Sequence, residues 1–140
     1  MKYLLGLFLA FSFSSFSYAE LTVTQGYVRA VPPGQKVSVA YMNLTNNTAR
    51  EIVLSGARSA QFMSINLHRT ANVDGLMTMR AMDELRIQPK QSISLAPGGL
   101  HWMLMGLKGE LTVSDQVAIS LIFSDGSQQQ LQLNVKALVD

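Results

Sequence analysis

Cysteine is absent from the 140 residues. That excludes the disulfide staples on which small exported domains often rely, and it excludes thiolate nucleophiles and thiolate metal sites. Charge is sparse as well: Asp, Glu, Lys and Arg together make up 14% of the chain, with eleven bases against nine acids. Setting aside Lys2, in the N-terminal apolar segment, leaves ten bases against the same nine acids. They are scattered singly, with no basic stripe that could follow a phosphate backbone, so nucleic acid is excluded as a partner. Histidine occurs twice and tryptophan once. The one long apolar run, Tyr3 to Phe16, is interrupted by serines and falls short of the roughly 20 residues of a membrane-spanning helix.

That run has the layout of an export signal. Lys2 supplies the positive start, Tyr3 to Phe16 the apolar stretch, and Ser17-Tyr18-Ala19 the small residues of a cleavage site. A retained N-terminal anchor is the competing reading. We expect a signal peptide over residues 1–19 and one domain over residues 20–140, about 120 residues able to enclose a single core. Without disulfides, that domain must hold together by packing alone.

The remainder reads as short strands separated by turns. Leu21 to Thr24, Tyr27 to Ala30, Val37 to Leu44 and Glu51 to Leu54 are rich in β-branched and aromatic residues, with Pro32-Pro33-Gly34 and Asn46-Asn47 between them. Phe62 to His68 alternates, which puts Met63, Ile65 and Leu67 on one face. Asp74-Gly75 predicts a hairpin into Leu76 to Met82. Two short strands are expected around Pro89-Lys90, a tight turn at Pro97-Gly98-Gly99, a strand over Leu100 to Leu107, and a hairpin of Val117 to Phe123 with Leu131 to Val135 across Asp125-Gly126. No helical apolar period persists. The pattern predicts an all-β domain, an antiparallel sandwich or Greek-key barrel.

Both histidines and five of the eight methionines fall between His68 and Met105. Strand geometry sharpens the grouping, since side chains two apart share a face. Met77 and Met79 project together, and His101, Met103 and Met105 share a face opposite Leu100, Trp102 and Leu104. His68 lies on the polar side of its strand. Methionine taken singly is more often a flexible filler of cores. Met42 and Met63 are accordingly assigned to the core, and Met82 and Met105 to the core or the layer behind the ligands. Met77 stays open as an alternative to Met79. Trp102 is expected in the core, the other reading being a π-face laid over a cation. The Gly98-Gly99 pair is explained by its turn.

Thioethers and imidazoles select a soft ion. Cu(I) takes both and gains little from carboxylates, which suit harder cations. Zinc sites use Cys, His and carboxylate rather than methionine, and a blue-copper centre needs a thiolate. Two histidines and two methionines carry no net charge, so they hold a monovalent cation reversibly without burying an anion. Redox turnover calls for a Cu(II)-supporting set for which two histidines do not suffice, and no Ser-His-acid or paired-carboxylate constellation is legible. A binding protein is expected rather than an enzyme.

The spacing His68-x10-Met79-x21-His101-x-Met103 resembles that of the periplasmic copper chaperones called PCu(A)C. The flanking segments are similar too: Leu67-His68, Asp74 to Arg80, and Leu95 to Leu107. The resemblance implies a cupredoxin-like Greek-key β-barrel with one Cu(I) held near the surface by His68, Met79, His101 and Met103. It implies a periplasmic protein that exchanges copper with donor and acceptor proteins, serving assembly of the copper centre of cytochrome c oxidase; copper buffering or resistance is the alternative, and a monomer is expected because it suits a shuttle. Two departures stand out. Arg69 follows the first histidine where some members have methionine. The chain stops at Asp140 without the His- and Met-rich tail that takes a second copper in others, so one copper per chain is expected.

Overall fold

The computed structural model describes residues 21–137, and the expected signal peptide lies outside them. Ten strands follow in chain order: β1 (Leu21–Arg29), β2 (Val37–Asn46), β3 (Ile52–Arg58), β4 (Phe62–Val73), β5 (Leu76–Met82), β6 (Leu85–Ile87), β7 (Ser92–Leu95), β8 (Leu100–Leu107), β9 (Gln116–Phe123) and β10 (Gln128–Lys136). Among the described residues there is no helix long and apolar enough to cross a membrane.

Seven strands, in the order β4-β8-β2-β1-β10-β9-β3, form a ring that closes where Ala57 of β3 pairs with Ile65 of β4. β6 pairs with β3, β7 with the second half of β2, and β5 extends the sheet outward from β4. The all-β, cupredoxin-like barrel expected from the sequence is therefore what forms. The pairings are antiparallel except that β1 and β10 run parallel. The two runs read at the start of the chain are one strand, with its register shifted between Thr24 and Tyr27, where Gln25 has φ 52°. The core fills the ring with Met42, Leu44, Trp102, Leu104, Val117, Ile119 and Leu121, all essentially without solvent contact. Burial of each large apolar side chain contributes about 1.5–3 kcal/mol, which is how a chain without disulfides is held.

Two local features place the functional face. Asp74 (φ 52°) and Gly75 (φ 82°) both take left-handed backbone, the conformation of a two-residue turn matched to strand twist. The β4–β5 hairpin is registered by that turn from Val73↔Leu76 down to Leu67↔Met82. The second feature corrects an expectation. Met63 is not core but 77% exposed, while Phe62 and Ile65 point inward. Opposite them on β8, Leu107 and Leu104 are buried and Met105 is not. Both strands thus take an outward step of two residues at the same level, where Gly106 has φ 70°. A methyl group on Gly106 would lie 2.6 Å from Cγ of Met63, so the methionine drapes over the glycine that makes the step possible. Alternation carried through Phe62 to His68 missed this because the phase slips within the strand.

Candidate metal centre

β4 and β8 run side by side, with His68 directly opposite His101, Asn66 opposite Met103, and Leu67 opposite Trp102. Directly paired residues project to the same side of a sheet and neighbours alternate. Leu67, Trp102 and Leu104 therefore face the core, and His68, His101 and Met103 share the outer face. On the other side of β4, Met79 of β5 is paired with Thr70, two residues from His68 and on that same face. Along β4, the levels of Met103, the histidine pair and Met79 follow at steps of about 6.6 Å. The four residues predicted as ligands are thus brought together on one face, from three adjacent strands. Met77, paired with Asn72, lies one step farther out than Met79. Met82 is paired with Leu67 and packs half-buried against the core, away from the site. Met105 shares the site face, 40% exposed; it is neither core nor behind the ligands.

The imidazole rings lie 5.8 Å apart between centroids, tilted by 50°. His101 is only 3% exposed although it faces outward. Its Nδ1 is 3.2 Å from the carbonyl oxygen of Gly99, which also accepts the backbone N–H of Thr70 at 3.1 Å. One carbonyl of the β7–β8 turn thereby ties β4 to the turn and sets the ring of His101. The tautomer that donates Nδ1–H to Gly99 leaves Nε2 as a lone-pair donor, the arrangement by which a backbone carbonyl orients a ligating histidine. That Nε2 is buried and has no hydrogen-bond partner, and the same holds for Nδ1 of His68. Two buried, unsatisfied nitrogens on directly opposed histidines are costly unless something accepts their lone pairs. Trp102 is fully buried on the opposite face, so the core reading of the sequence holds for it. The role of Gly99 was not read from the sequence, where Pro97-Gly98-Gly99 signals only a turn.

Burial lowers the pKa of His68 below its ordinary 6.5, with the neighbouring His101 adding to the effect. The neutral imidazole, the form that binds metals, thus persists to lower pH. The unfolded chain takes up the proton first, at about 6.5. The stabilisation from His68 is therefore complete above that pH and is lost as pH falls through the lowered folded value. Urea denaturation of the metal-free protein between about pH 7.5 and 5 is expected to show this loss, and a His68→Gln variant is expected to lack that part of it. Identical pH dependence in both proteins would contradict the burial of this ring.

Among the described residues, no three or more His, Cys, Asp or Glu gather as a metal-binding group. The predicted ligands gathered on this face are thioethers and imidazoles, donors that suit a soft ion.

The fold and the outward His/Met face define a PCuAC-type β-barrel. The barrel superposes on the apo PCuAC domain from PmoF1 with a TM-score of 0.71 and 26% identity, over 86% of this chain and 96% of that one. It is similar to the solution structure of CuI-DR1885 from Deinococcus radiodurans, with a TM-score of 0.66 and 34% identity over 83% of this chain and 76% of the other. The LpqE-like family (“Putative lipoprotein LpqE-like”) matches residues 21–135, and the chain belongs to it. A protein of Leifsonia xyli subsp. xyli (strain CTCB07), named “Putative lipoprotein Lxx21020”, is 35% identical over 115 residues, 81% of this chain and 68% of its own length. The family resemblance drawn from the ligand spacing is therefore upheld.

Proposed function

We propose that this protein is a periplasmic Cu(I) metallochaperone that holds one copper ion through His68, Met79, His101 and Met103 and passes it to a partner, serving assembly of the copper centre of cytochrome c oxidase. The observation that carries the reading is the pair of buried, unpartnered imidazole nitrogens on opposed histidines, with a methionine on the same face to either side. The solution structure of CuI-DR1885, the 34% identical relative, supports the choice of ion.

The mechanism is ligand exchange without turnover. Four neutral donors keep the ion's charge at +1, so no anion has to be buried and release carries no ion-pair penalty. The site is graded in depth. His101 is the deep anchor, locked by Gly99, and Met79 is the rim, 59% exposed on the outermost strand. An incoming ligand from an acceptor displaces Met79 first, and the ion leaves by successive substitution with His101 released last. An exposed ligand on an open strand favours hand-over, whereas a sequestering protein is better served by four buried ligands.

Anaerobic Cu(I) titration of the protein against a chromophoric chelator is expected to give one tight equivalent. Met79→Leu, nearly equal in volume and on the surface, is expected to weaken it by about tenfold or more while leaving thermal unfolding of the metal-free protein unchanged. Mixing the loaded protein with the copper-free copper domain of an oxidase subunit is expected to transfer the ion. Retention of copper in that mixture would shift the reading to buffering, and absence of a tight equivalent would remove both.

A further inference from the structure

The thioethers do not end at the four-residue centre. Beyond Met103 on β8, Met105 shares the same outer face, paired with Ser64 of β4 and Val37 of β2. Met63 follows, with its Sδ 2.7 Å from where a side chain on Gly106 would begin. Gly106 is the residue next to Met105, so the left-handed step that turns Met63 out of the core places its sulfur over the chain neighbour of Met105. Val37, Met63 and Met105 are all substantially exposed and continue the face of the histidine pair toward one end of the barrel. Large apolar side chains gathered on a surface call for an explanation; Met63 covers Gly106, yet both it and Met105 keep substantial exposure that this packing does not account for.

We propose that Met63 and Met105 form a two-thioether landing site for Cu(I), one strand step from Met103, from which the ion passes to the four-residue centre. The inference rests on the copper reading above and adds to it a route by which the ion arrives. A d¹⁰ monovalent ion accepts soft sulfur donors. Met103 on the same strand provides the next sulfur at a step of about 6.6 Å, within reach of two flexible side chains. The transfer is substitution at an unchanged oxidation state: Cu–S bonds to Met63 and Met105 break as bonds to Met103 and the imidazoles form. The landing site is the weaker of the two because it offers two donors rather than four and no imidazole. It also lies toward the end of the barrel that carries Lys36 and Lys108, whose backbones meet Leu107 and Gln61 and whose charges oppose a second cation.

The test follows the methyl resonances of the purified protein carrying ¹³C-methyl methionine during anaerobic Cu(I) addition. The first equivalent is expected to shift Met79 and Met103. Further copper is expected to shift Met63 and Met105 together, with a dissociation constant at least about a hundredfold larger. The double variant Met63→Leu/Met105→Leu, volume-conserving at exposed positions, is expected to abolish that second event, to slow loading from dilute Cu(I), and to keep the affinity of the first equivalent. Methyls of Met63 and Met105 that stay still, or move independently, while Met79 and Met103 respond would overturn the landing site and leave the four-residue centre standing. No response of Met79 and Met103 would remove the centre, and the landing site with it, because nothing would remain for it to feed.

Discussion

Replacing His101 with alanine is expected to lower Cu(I) affinity by at least about a hundredfold, since changes even in groups that merely support a metal ligand cost 10- to 100-fold. His101 combines the two properties of an anchor. Its ring is set by Gly99, and its free Nε2 is buried without a partner. Loss of the side chain also leaves a cavity beneath the site, so unfolding of the metal-free variant should be measured beside its copper affinity. A loss of affinity in a variant that still unfolds cooperatively assigns the ligand. Unchanged affinity would mean that the buried nitrogen is a structural imperfection, with the ion held elsewhere.

Trp102→Ala is expected to have the largest effect on stability, about 3–5 kcal/mol. That is a substantial part of the roughly 5–15 kcal/mol by which a domain is stable, and the melting temperature should fall by on the order of 10 °C or more. Trp102 is the largest fully buried side chain. It stands opposite Leu67, between His101 and Met103, on the strand pair that carries both histidines. Its loss should therefore weaken copper binding indirectly, by loosening the β4–β8 pairing. Trp102→Phe is expected to cost much less. The Nε1–H of Trp102 is buried without an acceptor, and removing an unsatisfied donor recovers part of what the smaller ring loses. Calorimetry on the two variants separates the outcomes: a phenylalanine variant that loses about 1 kcal/mol more than its smaller ring accounts for would mean that this N–H finds a partner such as an ordered water, while a stable alanine variant would contradict the packing described here.

The two variants differ in how readable their roles were beforehand. Leu100, Trp102 and Leu104 alternating with His101, Met103 and Met105 is a period-two pattern, and the structure keeps it without a slip. The Asp74-Gly75 turn and the strands on either side of it were equally legible, because turn chemistry and side-chain alternation act between residues adjacent in the chain. Met63 was misassigned on the same reasoning: alternation assumes an unbroken pleat, and Gly106, which breaks it, lies more than forty residues farther along. Met105 was assigned to the core or the layer behind the ligands from residue type, although the same alternation places it on the outer face with His101 and Met103, where it is exposed. The carbonyl of Gly99 could not be recognised as the atom that orients His101, since every residue carries a carbonyl and only its position distinguishes this one.

By itself the sequence determined the strand-rich class and the family, and it carries the His/Met spacing on which the proposed donor set rests, since absent cysteine, period-two alternation and residue spacing are properties of residue type and short-range order. The tertiary structure alone decided the parallel β1–β10 pairing, the closure of the ring at Ala57 and Ile65, the register that sets His68 against His101, and the gradient from buried His101 to exposed Met79. These depend on contacts between segments distant in the chain, where the free energy of burying a shared core selects one register among many that local preferences allow equally.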